Sequence, residues 1–317
     1  MKVSDRGATE TVACSGLAPL PGLVPHAQAV TVPVVENVRI AVDTWRLRLK
    51  CPEIAPRVTP GQFFMVREPG TTEPLLGRPF ALYDTWLDAH DRVAGIDMVY
   101  LVVGKMTRTM THWHAGDSVE LWGPLGNGFP APACENLLLV AGGIGNTPFL
   151  AVGREALGGR RYGDPLRPVT NRPNRLRFCY GARSCEHLAG VDDFAAAGIE
   201  LKLATDDGSA GHHGFVTDLV RATLAEWQAD RPDAPATRQT GIYCCGPERM
   251  MEAVARLAEE AGVDCWLSLE TPMACGFGAC FSCVTKVRLD DGTWDYRRTC
   301  VEGPVFPARD LCLHEES

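Results

Sequence analysis

The sequence predicts a multidomain α+β chain: a small antiparallel β-barrel, then a doubly wound parallel α/β domain, then a short C-terminal segment rich in cysteine. Three observations predict it. Short strand-like runs separated by Gly- and Pro-bearing turns fill the first part, the pattern of a small barrel. From Asn136 the rhythm changes to strand, loop, helix, the alternation of a doubly wound sheet. From Asp264 the cysteines crowd a segment too short to build a core alone, so a metal centre would supply its stability. The expected limits are 1–30 for an extension, 31–133 for the barrel, 134–263 for the α/β domain and 264–317 for the cysteine segment.

Taken in order, residues 1–30 are rich in Gly, Pro, Ala and Thr without a sustained period and are expected to form a mobile extension. In 44–50 the apolar Trp45, Leu47 and Leu49 alternate with Arg46, Arg48 and Lys50, the period of a half-buried strand. Strands are also expected at 63–67, 79–84, 97–103 and 118–122. The continuous apolar run 137–141 suits a buried parallel strand, and 176–180, 199–204 and 241–245 repeat the type, the last expected to be the final parallel strand. Val216, Leu219, Val220, Thr223, Leu224 and Trp227 share one helical face; Met250, Val254, Leu257 and Ala261 share another, with Pro247 near its start and Gly262 beyond its end. The stretch 158–174, bearing Arg160, Arg161, Arg167 and Arg172, interrupts this rhythm. It reads as a solvated loop; contact with an acidic partner or a cofactor phosphate is the sharper alternative.

Composition narrows the function classes. The 317 residues suit about two domains, or three if some are small. With 45% hydrophobic and 22% charged residues the balance is globular, and a net charge of −8 gives no basic surface that would imply nucleic acid. The longest apolar stretch, 137–152, is broken by Gly142, Gly143, Gly145, Asn146 and Pro148 and is too short for a bilayer. Residues 1–10 mix Lys2, Asp5, Arg6 and Glu10 with no clean apolar core, so a secretory signal is not expected and a cytoplasmic location is. Thirteen cysteines in so long a chain do not read as a disulfide framework. Cys14, Cys51, Cys134, Cys179, Cys185, Cys244, Cys265 and Cys312 are scattered and read as small buried hydrophobes or plain surface thiols.

Cys275, Cys280, Cys283 and Cys300 carry the strongest signal. Their order is C-x4-C-x2-C…C, the plant-type spacing of a [2Fe–2S] cluster. Gly276 and Gly278 permit the backbone angles of a tight wrap and let amides approach the inorganic sulfides. A structural zinc site is the alternative, but zinc ribbons favour paired C-x2-C knuckles and only one such pair occurs here. A second motif, Gly142, Gly143 and Gly145 with Thr147 and Pro148, follows a buried strand and opens a helix, with Thr147 as its cap and Pro148 as its first residue. Such a loop admits a dinucleotide pyrophosphate at a helix start, although tight turns use glycine as well. Cys245 and Gly246, at a strand's carboxyl end, are expected in the same pocket; a buried Cys before a helix is the plainer reading. In the barrel, Arg78 precedes Pro79, Phe80 and Ala81. Arg78 suits a phosphate, and Phe80 or Tyr83 an aromatic ring, though an Arg before Pro alone says little.

From about Val32 to Leu311 the chain resembles the electron-transfer subunit of two-component dihydroorotate dehydrogenase, within the ferredoxin–NADP reductase-like superfamily. The matching stretches are 60–66, 78–81, 123–129, 142–145, 204–209, 214–218 and the cluster cysteines. The resemblance implies a barrel that binds FAD, an α/β domain that binds NAD and a C-terminal [2Fe–2S] domain. Its FAD motif, Arg-Pro-x-Ser, falls on Arg78, Pro79, Phe80 and Ala81, with further contacts on Val99, Tyr100 and Leu101 and a Gly-Thr pair on Met106 and Thr107. Ala81 and Met106 depart from that pattern. NAD is favoured over NADP by the family and by Asp206 and Asp207, while Arg183 and Ser184 leave room for a 2′-phosphate.

Electron counting agrees. A nicotinamide exchanges a hydride and such a cluster a single electron, so a chain holding both needs a flavin between them. The resemblance implies a route from FMN in a separate dihydroorotate dehydrogenase catalytic subunit, through cluster and FAD, to NAD+, within a heterotetramer of two of each subunit and in pyrimidine biosynthesis. No catalytic proton-transfer residue is assigned, and His112, His114, His212 and His213 read as surface residues. The alternatives are an iron–sulfur flavoprotein subunit of an NAD(P)H:ferredoxin reductase, sulfide dehydrogenase or hydrogenase, and a zinc-stabilised nucleotide-binding module.

Overall fold

The computed structural model describes residues 27–230 and 240–313. Most of the expected extension 1–30, Cys14 included, lies outside them. Six antiparallel strands close a barrel in the order β1-β2-β5-β4-β3-β6. They are β1 Gln28–Ala41, β2 Thr44–Lys50, β3 Phe63–Arg67, β4 Arg78–Leu87, β5 Val93–Leu101 and β6 Ser118–Leu125. The first strand starts at Gln28 rather than near Thr31, because its pairing with β6 begins at Gln28 opposite Gly123. In β2 the alternation holds: Leu47 and Leu49 are buried in the barrel core, while Arg48 turns out and pairs with Asp97 at 2.7 Å. A short helix that the sequence did not announce, α1 Lys105–Met110, drops Met106 and Met110 into that core.

The second domain is a sheet of order β10-β9-β8-β7-β11-β12-β15. Its strands are β7 Asn136–Gly142, β8 Arg175–Ala182, β9 Glu200–Thr205, β10 His212–His213, β11 Thr240–Cys245, β12 Asp264–Ser268 and β15 Val305–Pro307. Helices α2 Phe149–Ala156, α3 Val191–Ala196, α4 Val216–Ala229 and α5 Glu248–Ala261 accompany them. Three expectations are corrected. First, 241–245 is not the last parallel strand: β12 runs parallel to β11, and β15 adds an antiparallel edge. The segment from Asp264 thus completes the sheet before it reaches its cysteines. Second, Thr147 does not cap α2. A 3-10 turn, Gly143–Asn146, precedes the helix, Thr147 has helical angles, and Pro148 is the N-cap without a side-chain bond. Third, α5 buries Met251, Val254 and Ala258 and leaves Met250 at the edge, where it meets the backbone of Gly142 and Gly246.

The stretch 158–174 is solvated only in part: most of 164–172 is exposed, while Arg160, Tyr162 and Arg167 turn inward. Arg160 donates to the backbone and hydroxyl of Thr85 and lies 3.4 Å from Asp84; the Tyr162 hydroxyl donates to Asp84 at 2.6 Å, and Arg154 of α2 pairs with the same carboxylate. Arg167 pairs with the buried Glu155 and donates to the Phe129 carbonyl. Together these bonds clamp α2 to β4, tying the α/β domain to the barrel. Burial of Asp84 and Glu155 is tolerated because each carboxylate faces guanidinium donors. Arg161 and Arg172 stay on the surface. The remaining strands, β13 Val284–Arg288 and β14 Trp294–Arg298, form a separate hairpin.

Removing one partner of a buried ion pair strands the other charge. Asp84→Ala should therefore cost about 3 kcal/mol, and Tyr162→Phe about 1 kcal/mol, read as shifts of the urea midpoint. Equal midpoints for wild type and Asp84→Ala would show that the clamp carries no stability.

Candidate functional site

The cysteine loop is built onto the barrel wall. Gly276 has φ +80°, and a Cβ there would stand 2.5 Å from Met65 Cγ of β3 and 3.0 Å from Leu125 Cδ1 of β6. The Trp122 indole donates to the Cys275 carbonyl at 2.9 Å. From the other side Arg298 donates to the Gly278 carbonyl at 3.1 Å, is held by Glu302 at 2.7 Å, and lies 4.9 Å from the Phe281 ring centre. Thr299 donates to the Cys283 carbonyl at 3.0 Å. Neither Trp122 nor Arg298 stands out in the sequence; the only signal for Arg298 is its place two residues before Cys300.

The four thiols stand as two pairs. Cys283 and Cys300 have sulfurs 3.2 Å apart, and both are buried with Phe63, Met65 and Leu125. Cys280 is exposed, 3.2 Å from the Ser282 hydroxyl. That hydroxyl, then backbone amide and Cys275 contacts, lower its thiol to about 6, whereas burial pushes Cys300 up. Four thiols gathered in this order are the donor set of a dinuclear iron core.

Next to this loop lies the Arg78 motif. β3 pairs with β4 so that Phe63 faces Ala81 and Met65 faces Pro79. Pro79 and Ala81 therefore share the outer barrel face with the two β3 side chains that pack on the cysteine loop. Phe80 turns inward, edge-on to Tyr100 with ring centres 6.0 Å apart. Arg78 is exposed and donates only to the Leu76 and Gly77 carbonyls, with no carboxylate partner among the described residues. Val99 packs on the outer side toward the α/β domain. Leu101, two residues on in the strand, belongs to that side as well. Tyr100 points into the barrel, where its hydroxyl donates to Asn37, and Met106 is buried there too, so these two offer a ligand only backbone. Thr107 accepts from the Val103 and Gly104 amides at 3.0 Å each and so closes the start of α1. Tyr83 is not free to stack on a ring: it is buried against Phe194 and donates to Asp193.

At the carboxyl ends of the parallel strands, Ala141, Cys245 and Ser268 stand in register across β7, β11 and β12. The glycines there serve two purposes. A Cβ at Gly145 would run into the Cys245 carbonyl, one at Gly142 would lie 2.6 Å from Met250 Sδ, and one at Gly246 2.9 Å from the Gly142 amide nitrogen. Those three make room for the protein's own atoms: the Met250 side chain at Gly142 and Gly246, and the Cys245 backbone at Gly145. Gly143 differs: with φ +54° its Cβ would meet nothing within 4 Å, so the space around it is open. The Cys245 thiol is buried and pushed up by desolvation, which suits packing rather than nucleophilic chemistry. Nearby, the Cys185 amide donates to Ser209 Oγ, which donates to Asp207, joining the Arg183–Ser184 and Asp206–Asp207 loops into one rim. His112, His114, His212 and His213 are all exposed.

The comparisons agree with this arrangement. Residues 270–312 match the iron–sulfur cluster binding domain of dihydroorotate dehydrogenase B, and 139–256 match an oxidoreductase NAD-binding domain. The electron transfer subunit of dihydroorotate dehydrogenase B (NAD+) from Clostridium acetobutylicum is 33% identical over 284 residues, covering 89% of this chain and 96% of that one. Among solved structures, an NADH-dependent reduced ferredoxin-NADP oxidoreductase from a study of flavin-based electron bifurcation aligns with a TM-score of 0.70 at 28% identity, over 88% of this chain and 89% of that one. A ferredoxin NADP+ reductase from Neisseria gonorrhoeae, solved with FAD and NADP, shares the fold at a TM-score of 0.57 and 15% identity, over 74% and 92%. No helix among the described residues is long and apolar enough to cross a membrane. With a barrel, a nucleotide-type sheet and a four-thiol loop joined in this order, and a relative matched along almost its whole length, the chain belongs to the family of dihydroorotate dehydrogenase B electron transfer subunits.

Proposed function

We propose that the chain carries electrons from the FMN of a dihydroorotate dehydrogenase catalytic subunit to NAD+, using a [2Fe–2S] cluster and FAD. The observation that carries this reading is the shared outer face of β3 and β4, which sets the four-thiol loop one strand away from the Arg78 motif. When bound, the cluster passes single electrons and the flavin exchanges them for the hydride that nicotinamide takes.

The residues divide the work. Cys275, Cys280, Cys283 and Cys300 would hold the cluster, while Trp122 and Arg298 fix the loop that presents them. Arg78, lacking a carboxylate, is available to a flavin phosphate. Pro79, Ala81, Val99 and Leu101 present a small apolar surface to the ring, and Phe80, Tyr100, Met106 and Thr107 support it from behind. Gly143 opens the nucleotide cradle, and Cys245 and Gly246 shape its inner end. Exposed Asp206 and Asp207 favour the ribose hydroxyls of NAD. This chain and its catalytic partner would assemble as a heterotetramer with two copies of each. A ferredoxin-linked role is the second reading, favoured by the 28% identity to a ferredoxin-NADP oxidoreductase. The two differ in partner: co-purification with an FMN protein and dihydroorotate-dependent NAD+ reduction by the pair support the first, and failure of both supports the second.

The visible spectrum of anaerobically purified protein should show flavin bands and a bleachable cluster absorption; a colourless protein with stoichiometric zinc would overturn the electron-transfer role. Cys280→Ser should remove the cluster absorption, keep the flavin and stop electron flow from the partner. Gly276→Ala should lower iron and sulfide content severalfold at unchanged flavin content, because the added methyl meets Met65 and Leu125. Arg78→Ala should weaken flavin retention by about tenfold or more, the worth of a charge-assisted bond; unchanged flavin after gel filtration would remove Arg78 from the site.

A further inference from the structure

Trp122 of β6 reaches both of the segments that the proposed function assigns to cofactors. Its register partner on β3 is Met65, so its side chain stands on the outer barrel face beside the cysteine loop. At one end the indole N–H donates to the carbonyl of Cys275 at 2.9 Å. At the other end a Cβ on Gly77 would run into Trp122 Cη2, so the backbone there lies against the ring edge. Gly77 is joined directly to Arg78, whose Nη1 donates to the Gly77 carbonyl at 3.1 Å and to the Leu76 carbonyl at 2.9 Å. One rigid ring thus stands between the backbone of a cluster cysteine and the base of the Arg78 motif.

Gly77 has no left-handed backbone angle, so its conformation does not ask for glycine. Space is what excludes a side chain there: the indole, and the Val66 carbonyl 3.1 Å from the same Cβ. Gly77 is buried between exposed Leu76 and exposed Arg78. Earlier in that loop, Glu73 pairs with Lys105 at 2.5 Å, but both side chains are exposed and such pairs hold little. The buried contact with Trp122 is therefore the firmer anchor of 70–77. On the cysteine side, Phe277, Cys280, Phe281 and Ser282 are exposed, so the outer half of that loop faces solvent while Trp122 holds its first ligand. A ring packed at both ends transmits a displacement from one segment to the other instead of absorbing it.

On the basis of the proposed function, we infer that Trp122 is a positioning residue: a spacer that fixes the separation between the cluster loop and the Arg78 motif. It thereby sets the distance over which electrons pass between cluster and flavin. It supplies no ligand to either group and acts through two backbones, at Cys275 and at Gly77.

Distance, rather than turnover, is the quantity to measure. Holoprotein poised anaerobically so that flavin and cluster each carry one unpaired electron should show a dipolar spin coupling with a single narrow distance. Trp122→Phe keeps an aromatic ring on the barrel wall but loses the indole N–H and the outer ring edge. It should keep its iron, sulfide and flavin contents and broaden that distance distribution. After mixing with NADH, its flavin should bleach as fast as in wild type, while the following reduction of the cluster slows severalfold. Gly77→Ala, which pushes on the ring from the flavin side, should broaden the distribution as well. A distribution as narrow as wild type in either variant would overturn the spacer. So would equal slowing of flavin bleaching and cluster reduction, or loss of iron in Trp122→Phe, because a spacer leaves each group bound. A wild-type protein without flavin or cluster absorption would instead bring down the function on which the spacer rests.

Discussion

The structure depends on one packing constraint: the cysteine segment is too small to enclose its own core, so it borrows the outer wall of the barrel. Phe63, Met65 and Leu125 of the barrel form one apolar cluster with Cys283 and Cys300. Gly126 allows Pro304 and the Gly303 carbonyl to approach β6, where a Cβ would stand 2.5 Å from Pro304 Cδ. Asn127 donates to the Glu302 and Val305 carbonyls, stitching the same edge. The rest of the segment is buried elsewhere, with Phe306 and Leu311 in the core of the α/β sheet. A segment anchored on two domains at once cannot swing away from either without losing both cores. That rigidity is what an electron-transfer site requires, because its cofactors must keep their separation.

Placement of the loop against β3 also explains the unbroken apolar run of that strand. Phe63, Phe64, Met65 and Val66 are consecutive apolar residues where a barrel facing water would alternate. Phe64 and Val66 fill the barrel, while Phe63 and Met65 face the cysteine loop. With both faces covered, no polar residue is needed. Pairing with β4 then carries the relation one strand further, about 4.8 Å, to Pro79 and Ala81. Small side chains at those two positions leave that face low, and Ala81 lacks the hydroxyl that the Ser of the resembled motif carries there.

Much of this was legible from the chain alone. The order of barrel, parallel sheet and cysteine segment follows from periodicity, and the four ligand cysteines from spacing, because both signals are local. What failed was nonlocal. Nothing in 158–174 announces that Arg160 and Tyr162 close on Asp84, since that carboxylate comes from a strand more than seventy residues earlier. β12 was read as the start of the cysteine segment because it is short and sits beside those residues in the sequence, yet its pairing is with β11. In the glycine loop, Gly142 and Gly145 lie against Met250 and Cys245, while Gly143 has open space around it. Glycine marks close approach in either case, and sequence does not say whose backbone approaches.

The three domains meet through shared cores rather than through linkers. Tyr83 and Val99 of the barrel are buried with the α/β residues Phe149, Phe178 and Phe194, and Ala151 of α2 is buried with the barrel core. The Asp84 clamp adds ion pairs to an apolar contact that already exists, so its larger effect is on the angle between domains than on their association. Fixing that angle holds the ends of β7, β11 and β12 opposite the outer face of β4 and β5. The chain that carries the cysteine loop leaves the α/β sheet through β12 and rejoins it through β15, so the loop is held against the barrel wall from both of its ends.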